Sequence, residues 1–113
     1  MKRGEIWWAT LRSPRASEPG FRRPVLIVQS DAFNQSRIRT LLAVVLTSNI
    51  RLADAPGNVE LTAKHSGLPK PSVANVSQVV TLDKSYLTER VGELDERIMK
   101  SVDAGLRLVL SLR

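Results

Sequence analysis

The sequence predicts a mainly β domain carrying one C-terminal helix, and three observations predict it. Short apolar runs rich in valine, isoleucine, leucine and tryptophan recur between breaks containing glycine, proline, asparagine or aspartate, as in "GEIWWATL", "PVLIVQ" and "TLLAVVLT". Helical spacing is sustained only in the last twenty residues. Finally, 113 residues with 42% apolar side chains suffice for one packed core and are too few for two, so residues 1–113 are expected to form a single domain. A small β-barrel or twisted sheet with a helix packed on it satisfies all three.

Taken in order, residues 4–11 read as a first strand, with two adjacent indoles in it. Residues 12–22, "RSPRASEPGFR", form a long loop broken by Pro14, Pro19 and Gly20. Residues 24–29 are an almost wholly apolar strand. Proline is tolerated at a strand's first residue, so Pro24 is expected to mark the start, and it biases Arg23 toward extended backbone. "SDAFNQS" reads as one helical turn with Ser30 or Asp31 as N-cap. Residues 40–47 are a second buried strand, and 58–62 a short one after a turn at Pro56 and Gly57. In residues 72–80, Val73, Val76 and Val79 cannot share one face of a regular strand, although the composition favours a strand. Residues 83–87 read as a turn and 90–94 as a last strand. Ile98, Val102, Leu106, Val109 and Leu110 then follow helical spacing, with Asp95 as cap, Glu96 at the positive end and Arg113 at the other. Gly105 is a discord within that helix, costing about 1 kcal/mol relative to alanine.

Several function classes are excluded or disfavoured by composition. Without cysteine, neither a disulfide framework nor a thiolate zinc site can form, which fits a reducing compartment. No apolar run approaches the roughly 18 residues of a membrane helix, and "MKRGEIWW" lacks a secretory core, so a cytoplasmic protein without membrane contact is expected. No histidine, cysteine or carboxylate grouping has metal-ligand spacing, no glycine-rich phosphate loop is present, and no cofactor is implied. The net charge of +6 is uneven: residues 1–40 hold eight Lys/Arg against three Asp/Glu, a balance of +5, whereas the remainder hold nine against eight. A basic N-terminal third suits a polyanion, and a nucleic acid is the expected one.

The candidates for chemistry are correspondingly few. His65 is the only histidine and lies in "AKHSGLPKP", which reads as a polar loop. What remains is arginine and hydroxyl chemistry at strand ends. Arg23 directly precedes one buried strand and Thr47 ends another. If those strands are neighbours, a guanidinium that binds phosphate through two donors would meet a hydroxyl that adds a third. Such a pair would hold a phosphodiester and offset extra charge on a pentacoordinate phosphorus. The ordinary roles, a surface arginine flanking a strand and a β-branched strand terminus, remain open for both.

"MKRGEIWW", "SEPGFRRPVLIVQSDAFN", "AVVLTSNI", "SGLPKPSVANVSQVVTLDKSYL" and "VGELDERIMKSVDAGLRLVLSL", in that order and nearly end to end, resemble the MazF/PemK toxins of type II toxin–antitoxin systems. The resemblance implies a small SH3-like barrel of the CcdB/Kid/MazF type. It implies an mRNA interferase, a metal-independent endoribonuclease that cuts single-stranded RNA at specific sequences. The products would be 2′,3′-cyclic phosphate and 5′-hydroxyl ends. Its catalytic set would be Arg23, Thr47 and Glu18, and its RNA contacts Arg12, Ser17, Arg22, Ser48, Asn49 and Gln78. Val80 and Ser77 depart from the arginine and aspartate common at those places in the family, so no basic RNA contact is carried to position 80. Loops 12–22 and 51–57 are the expected seat of sequence specificity. A non-catalytic, gyrase-binding toxin of the CcdB kind is the alternative, and it has no need of the arginine–proline and threonine motifs. The family also implies a homodimer and a cognate antitoxin with an acidic tail. Trp7 and Trp8 must point to opposite faces of a strand, so one indole is expected to be left over for a two-fold interface.

Overall fold

A computed structural model of the chain describes residues 1–11 and 22–113. Six strands form one antiparallel sheet: β1 (Glu5–Thr10), β2 (Arg22–Ile27), β3 (Thr40–Thr47), β4 (Val59–Leu61), β5 (Ser72–Asp83) and β6 (Leu87–Glu93), in the spatial order β4-β5-β3-β2-β1-β6. The sheet curls into a half-barrel. Two short helices, α1 (Asp31–Asn34) and α2 (Ala63–Ser66), and 3-10 turns at Ile50–Asp54 and Lys84–Tyr86 join the strands, and α3 (Glu96–Leu110) closes the chain.

Side-chain alternation builds apolar clusters on both sides of the sheet. Ile6, Leu26, Val44 and Leu46 join Leu61, Met99 and Val102 on the α3 side. Their odd-numbered neighbours Ala9, Val25, Ile27, Ala43 and Val45 gather with Leu41, Leu82 and Leu87 on the other. Full burial of each large aliphatic side chain contributes about 1.5–3 kcal/mol. Because both faces have a core, both indoles find one: Trp7 packs against the second cluster and Trp8 against the first, each half-buried. The expected surplus tryptophan therefore does not arise.

The helix α3 lies where its caps and contacts dictate. Asp95 Oδ1 accepts from the Ile98 backbone N–H at 2.9 Å, as the sequence predicts. Arg3 ties the helix to the sheet, pairing with Asp103 at 2.5 Å and donating to the Val28 carbonyl at 2.8 Å. Gly105 is buried against the backbone of Gly57, whose φ is +83°. A Cβ at 105 would collide with the Gly57 carbonyl oxygen, so the discordant glycine is what lets the helix seat. The buried face is Met99, Val102 and Gly105, with Ile98 and Leu106 partly covered. Val109 and Leu110, which the spacing placed on the core face, are exposed, as are Leu108 and Leu112.

Two strands differ from expectation for definable reasons. Pro24 sits within β2, which begins at Arg22. The pairs between β2 and β3 start at Val25, so at Pro24 the strand is paired on the β1 side, with Trp8, and a missing N–H toward β3 breaks no ladder there. In β5 the register against β3 jumps between Val44↔Val79 and Leu46↔Ala74, which leaves residues 75–78 as a bulge. Asn58 holds the bulge: its Oδ1 accepts from the Val76 N–H at 2.9 Å and its Nδ2 donates to Asn75 at 3.3 Å. That is why Val73, Val76 and Val79 fit no single strand periodicity.

Candidate functional site

The site lies at the rim where β2 begins and β3 ends. The outermost β2–β3 pair is Val25↔Val45, and Arg23 and Thr47 each lie two residues beyond it, at the same end of the two strands. The two strands are neighbours, so the condition on which the sequence reading rested is met. Arg23 is half-buried, anchored by extended backbone between β1 and the strand's apolar continuation Val25–Ile27. Thr47 is half-buried too, and its Oγ1 accepts from the Asn49 N–H at 3.1 Å, a local turn that fixes the hydroxyl's position at the end of β3.

A concavity of about 320 Å³ opens beside this pair. Trp8, Pro24, Leu46 and Leu68 give it apolar walls, Arg22, Arg23 and Lys70 supply positive charge, and Ser48 and Ser72 supply hydroxyls. Arg22 is held in two ways. Its guanidinium stacks 4.8 Å from the centre of the Trp8 ring, and its Nη2 donates to Glu89 at 3.0 Å. The register explains the grouping: Trp8 pairs with Pro24 on one side and with Glu89 on the other, and Arg22 is the diagonal neighbour of Trp8.

The far wall comes from a segment read in the sequence only as a polar loop. Thr62 caps α2, accepting from the His65 N–H at 3.1 Å, and Gly67 ends it with φ +82°. Gly67 and Gly92 bring α2 onto β6: a Cβ on Gly67 would lie 2.9 Å from the Val91 carbonyl oxygen, and one on Gly92 2.8 Å from that of Ser66. This docking carries Leu68, Pro69 and Lys70 to the concavity. His65 is exposed and is not among the lining residues.

Of the residues singled out from sequence, Arg22, Arg23 and Ser48 line the concavity, and Thr47 flanks it between Leu46 and Ser48 without forming its wall. Asn49 caps the following 3-10 turn, accepting from the Arg51 N–H at 3.3 Å. Gln78 sits in the β5 bulge, where its Oε1 accepts from Asn75 at 3.5 Å. Arg12, Ser17 and Glu18 lie outside the described residues. Trp8, Leu68, Pro69, Lys70 and Ser72 were not anticipated. The "GLPKP" punctuation after a possible helix cap was the available signal. Among the described residues, no group of three histidine, cysteine, aspartate or glutamate side chains comes together as a metal site. No helix among them is long and apolar enough to cross a membrane.

These features define a small β protein whose curled antiparallel sheet carries a cationic, hydroxyl-bearing rim at one strand edge. Comparison with known proteins gives the family. Residues 2–110 match the family described as PemK-like, MazF-like toxin of type II toxin–antitoxin system, and the chain belongs to it. It is 53% identical over 112 residues to endoribonuclease MazF6 of Mycobacterium tuberculosis, covering 99% of this chain and 98% of that one. It is 37% identical over 112 residues to endoribonuclease EndoA of Bacillus subtilis, covering 99% and 96%. Among solved structures, a MazE–MazF crystal structure from Deinococcus radiodurans superposes with a TM-score of 0.81 at 24% identity, covering 100% of this chain and 97% of that one.

Proposed function

We propose that this MazF-type endoribonuclease toxin cuts single-stranded mRNA at the β2–β3 rim without a metal ion. The observation that supports the reading is that Arg23 and Thr47 lie at the same end of neighbouring strands, beside a cationic concavity. In the reaction, the ribose 2′-oxygen attacks the adjacent phosphorus and loses its proton. The bond from phosphorus to the 5′-oxygen breaks, and that oxygen takes up a proton. The products are a 2′,3′-cyclic phosphate and a 5′-hydroxyl. Arg23 offers a planar fork to the phosphoryl oxygens, where charge increases as the fifth bond forms. Thr47 adds a hydroxyl donor at the same oxygens. A guanidinium does not readily surrender its proton, so proton removal from the 2′-hydroxyl falls to Glu18 or to a group of the substrate. Rigid placement matters more than charge alone, and the buried strand behind Arg23 supplies it.

Arg22, Ser48, Asn49 and Gln78, with Arg12 and Ser17, extend the RNA contact along the rim. The protein acts in the cytoplasm as a homodimer. The exposed apolar row Leu108, Val109, Leu110 and Leu112 at the end of α3, together with Leu42 and Val79 on the sheet, supplies surface for a second copy. An antitoxin with an acidic tail competes with RNA for the basic rim. The solved structures of this fold include an endoribonuclease from a mycobacterial species in complex with its cognate antitoxin.

Incubation of the purified protein with a long RNA tests the reading. Discrete cleavage at a short recurring sequence is expected, and an RNA left intact by the folded protein contradicts it. Sedimentation at micromolar concentration should give a dimer. A species of only 12.5 kDa contradicts that part.

A further inference from the structure

The rim concavity is larger and more apolar than the grip on a phosphate requires. A phosphate needs donors, and Arg23 and Thr47 supply them. The rest of the hollow offers the Arg22 guanidinium stacked on the Trp8 ring, the flat ring of Pro24, and the aliphatic side chains of Leu46 and Leu68. Flat π and guanidinium surfaces flanked by aliphatic walls suit an unstacked nucleobase. The polar groups at the mouth are chiefly donors: the Lys70 ammonium has three N–H bonds and no acceptor, and Ser48 adds a hydroxyl. Both are exposed and available to a ligand. Lys70 is also positioned from behind, because its carbonyl accepts from the buried Ser72 hydroxyl at 3.3 Å. Donors at the mouth favour a base whose edge presents carbonyl acceptors, uracil or guanine, over one presenting an amino group at that place.

We propose that this concavity is a base-recognition subsite, in which one unstacked base next to the cleaved phosphodiester stacks against the Arg22–Trp8 pair and is read on its edge by Lys70. The assignment rests on the RNA-cleaving reading above. It makes Lys70 a specificity-determining residue and Arg22 its stacking partner, fixed by Glu89. The reach is short, since Arg23 lines the same hollow and Ser48 directly follows Thr47. An acidic antitoxin side chain is the competing occupant, disfavoured because it would engage the cations and leave the flat Arg22–Trp8 stack without a role.

The test uses short single-stranded RNAs that differ at one nucleotide near the cut, with kcat and KM measured for the wild type, Lys70→Ala, Arg22→Ala, Arg23→Lys and, as a control on α3, Lys100→Ala. For Lys70→Ala, kcat/KM on the preferred substrate should fall about 10-fold or more, the size of one lost base-edge contact. The preference at one nucleotide should flatten, with kcat at saturation nearly kept. Arg23→Lys should lower kcat on every substrate alike, and Lys100→Ala should match the wild type. Equal losses on all sequences for Lys70→Ala would reduce the residue to a phosphate contact and overturn the proposal. So would unchanged RNA kinetics with weakened binding of an acidic antitoxin peptide. If the wild type cuts no RNA, the functional reading fails, and the subsite is judged by indole fluorescence alone. A short strand with 2′-deoxy sugars should quench the emission and bind about 10-fold more weakly to Lys70→Ala. The absence of quenching would overturn the subsite as well.

Discussion

The two ends of β2 behave in opposite ways. At the inner end, Val25, Leu26 and Ile27 are fully buried, and Arg3 links the Val28 carbonyl just beyond the strand to Asp103 of α3. At the outer end, within three residues, the same strand presents Arg22, Arg23 and Pro24 to a hollow with Lys70, Ser48 and Ser72. One end is buried and tied to α3, and the other is left open and cationic. The difference teaches how a small sheet provides a catalytic platform: the closed end supplies rigidity, and the open end uses it to hold charged side chains in place.

The sharpest way to break this division of labour is at Arg23. Arg23→Lys keeps the charge and loses the planar fork, so cleavage should fall by at least ~10²-fold, the usual loss for one donor to a transition state. The melting temperature should hardly move, since the side chain sits outside the closed core. Near-normal cutting by the folded variant would remove Arg23 from the catalytic role, and a larger effect from Arg22→Ala would move that role to its neighbour.

A smaller effect is expected at Thr47, where the hydroxyl matters and the methyl does not. Thr47→Ser should keep most activity, and Thr47→Val should lose at least about 10-fold, the order of one lost hydrogen bond to a charged group. Equal activity in both variants contradicts the assigned donor. Beneath α3 the readout changes from rate to stability. Gly105→Ala gains about 1 kcal/mol of helix propensity. It also places a methyl against the Gly57 carbonyl, and overpacking against backbone costs about 1–3 kcal/mol or more. Overpacking should win and lower the melting temperature by several degrees, with kcat of the remaining folded protein unchanged. A more stable Gly105→Ala variant would show that the close contact is not needed.

The smallest effect separates the two ends by pH. Burial raises the pKa of Glu5, but hydrogen bonds from the Trp7 indole, the Lys2 N–H and the Arg90 guanidinium, with the nearby N-terminal ammonium, outweigh it and hold the carboxyl below its ordinary 4.5. The folded state therefore gains stability from ionised Glu5 above that value and loses it as pH falls through the lowered pKa. Melts of the wild type and Glu5→Gln should diverge near neutral pH, with the wild type the more stable, and converge in acid. A gap that is constant with pH contradicts the ionised role.

How much of this was legible in the sequence depends on the range of the interaction that decides each feature. Strand composition, the Asp95 cap and the amphipathic start of α3 are local, and they were read correctly. The turn at Ser30 was read correctly as well, although Ser30 caps α1 through its backbone carbonyl rather than its side chain. Pro24 was misplaced as a strand start because what tolerates it is the extent of pairing with β3, which lies twenty residues away. The β5 bulge was visible only as a failed valine periodicity, because the residue that holds it is Asn58, in the loop just before β4. Gly105 looked like a fault until Gly57 was set beside it. The reading of Arg23 with Thr47 was conditional on the two strands being neighbours, and that condition, a matter of long-range pairing, is met by the sheet order. The Lys70 wall was missed because it is assembled by the docking of Gly67 and Gly92, which no local pattern announces.

The central claim is that Arg23 and Thr47 at the open rim cleave RNA by 2′-hydroxyl attack without a metal. The most direct measurement is end analysis of a long RNA incubated with wild-type protein in excess EDTA, alongside Arg23→Lys. The account predicts undiminished cutting by the wild type, fragments ending in 2′,3′-cyclic phosphate and beginning with 5′-hydroxyl, and almost none of these with Arg23→Lys. Activity lost in EDTA and restored by Mg²⁺, or fragments beginning with 5′-phosphate, would contradict it.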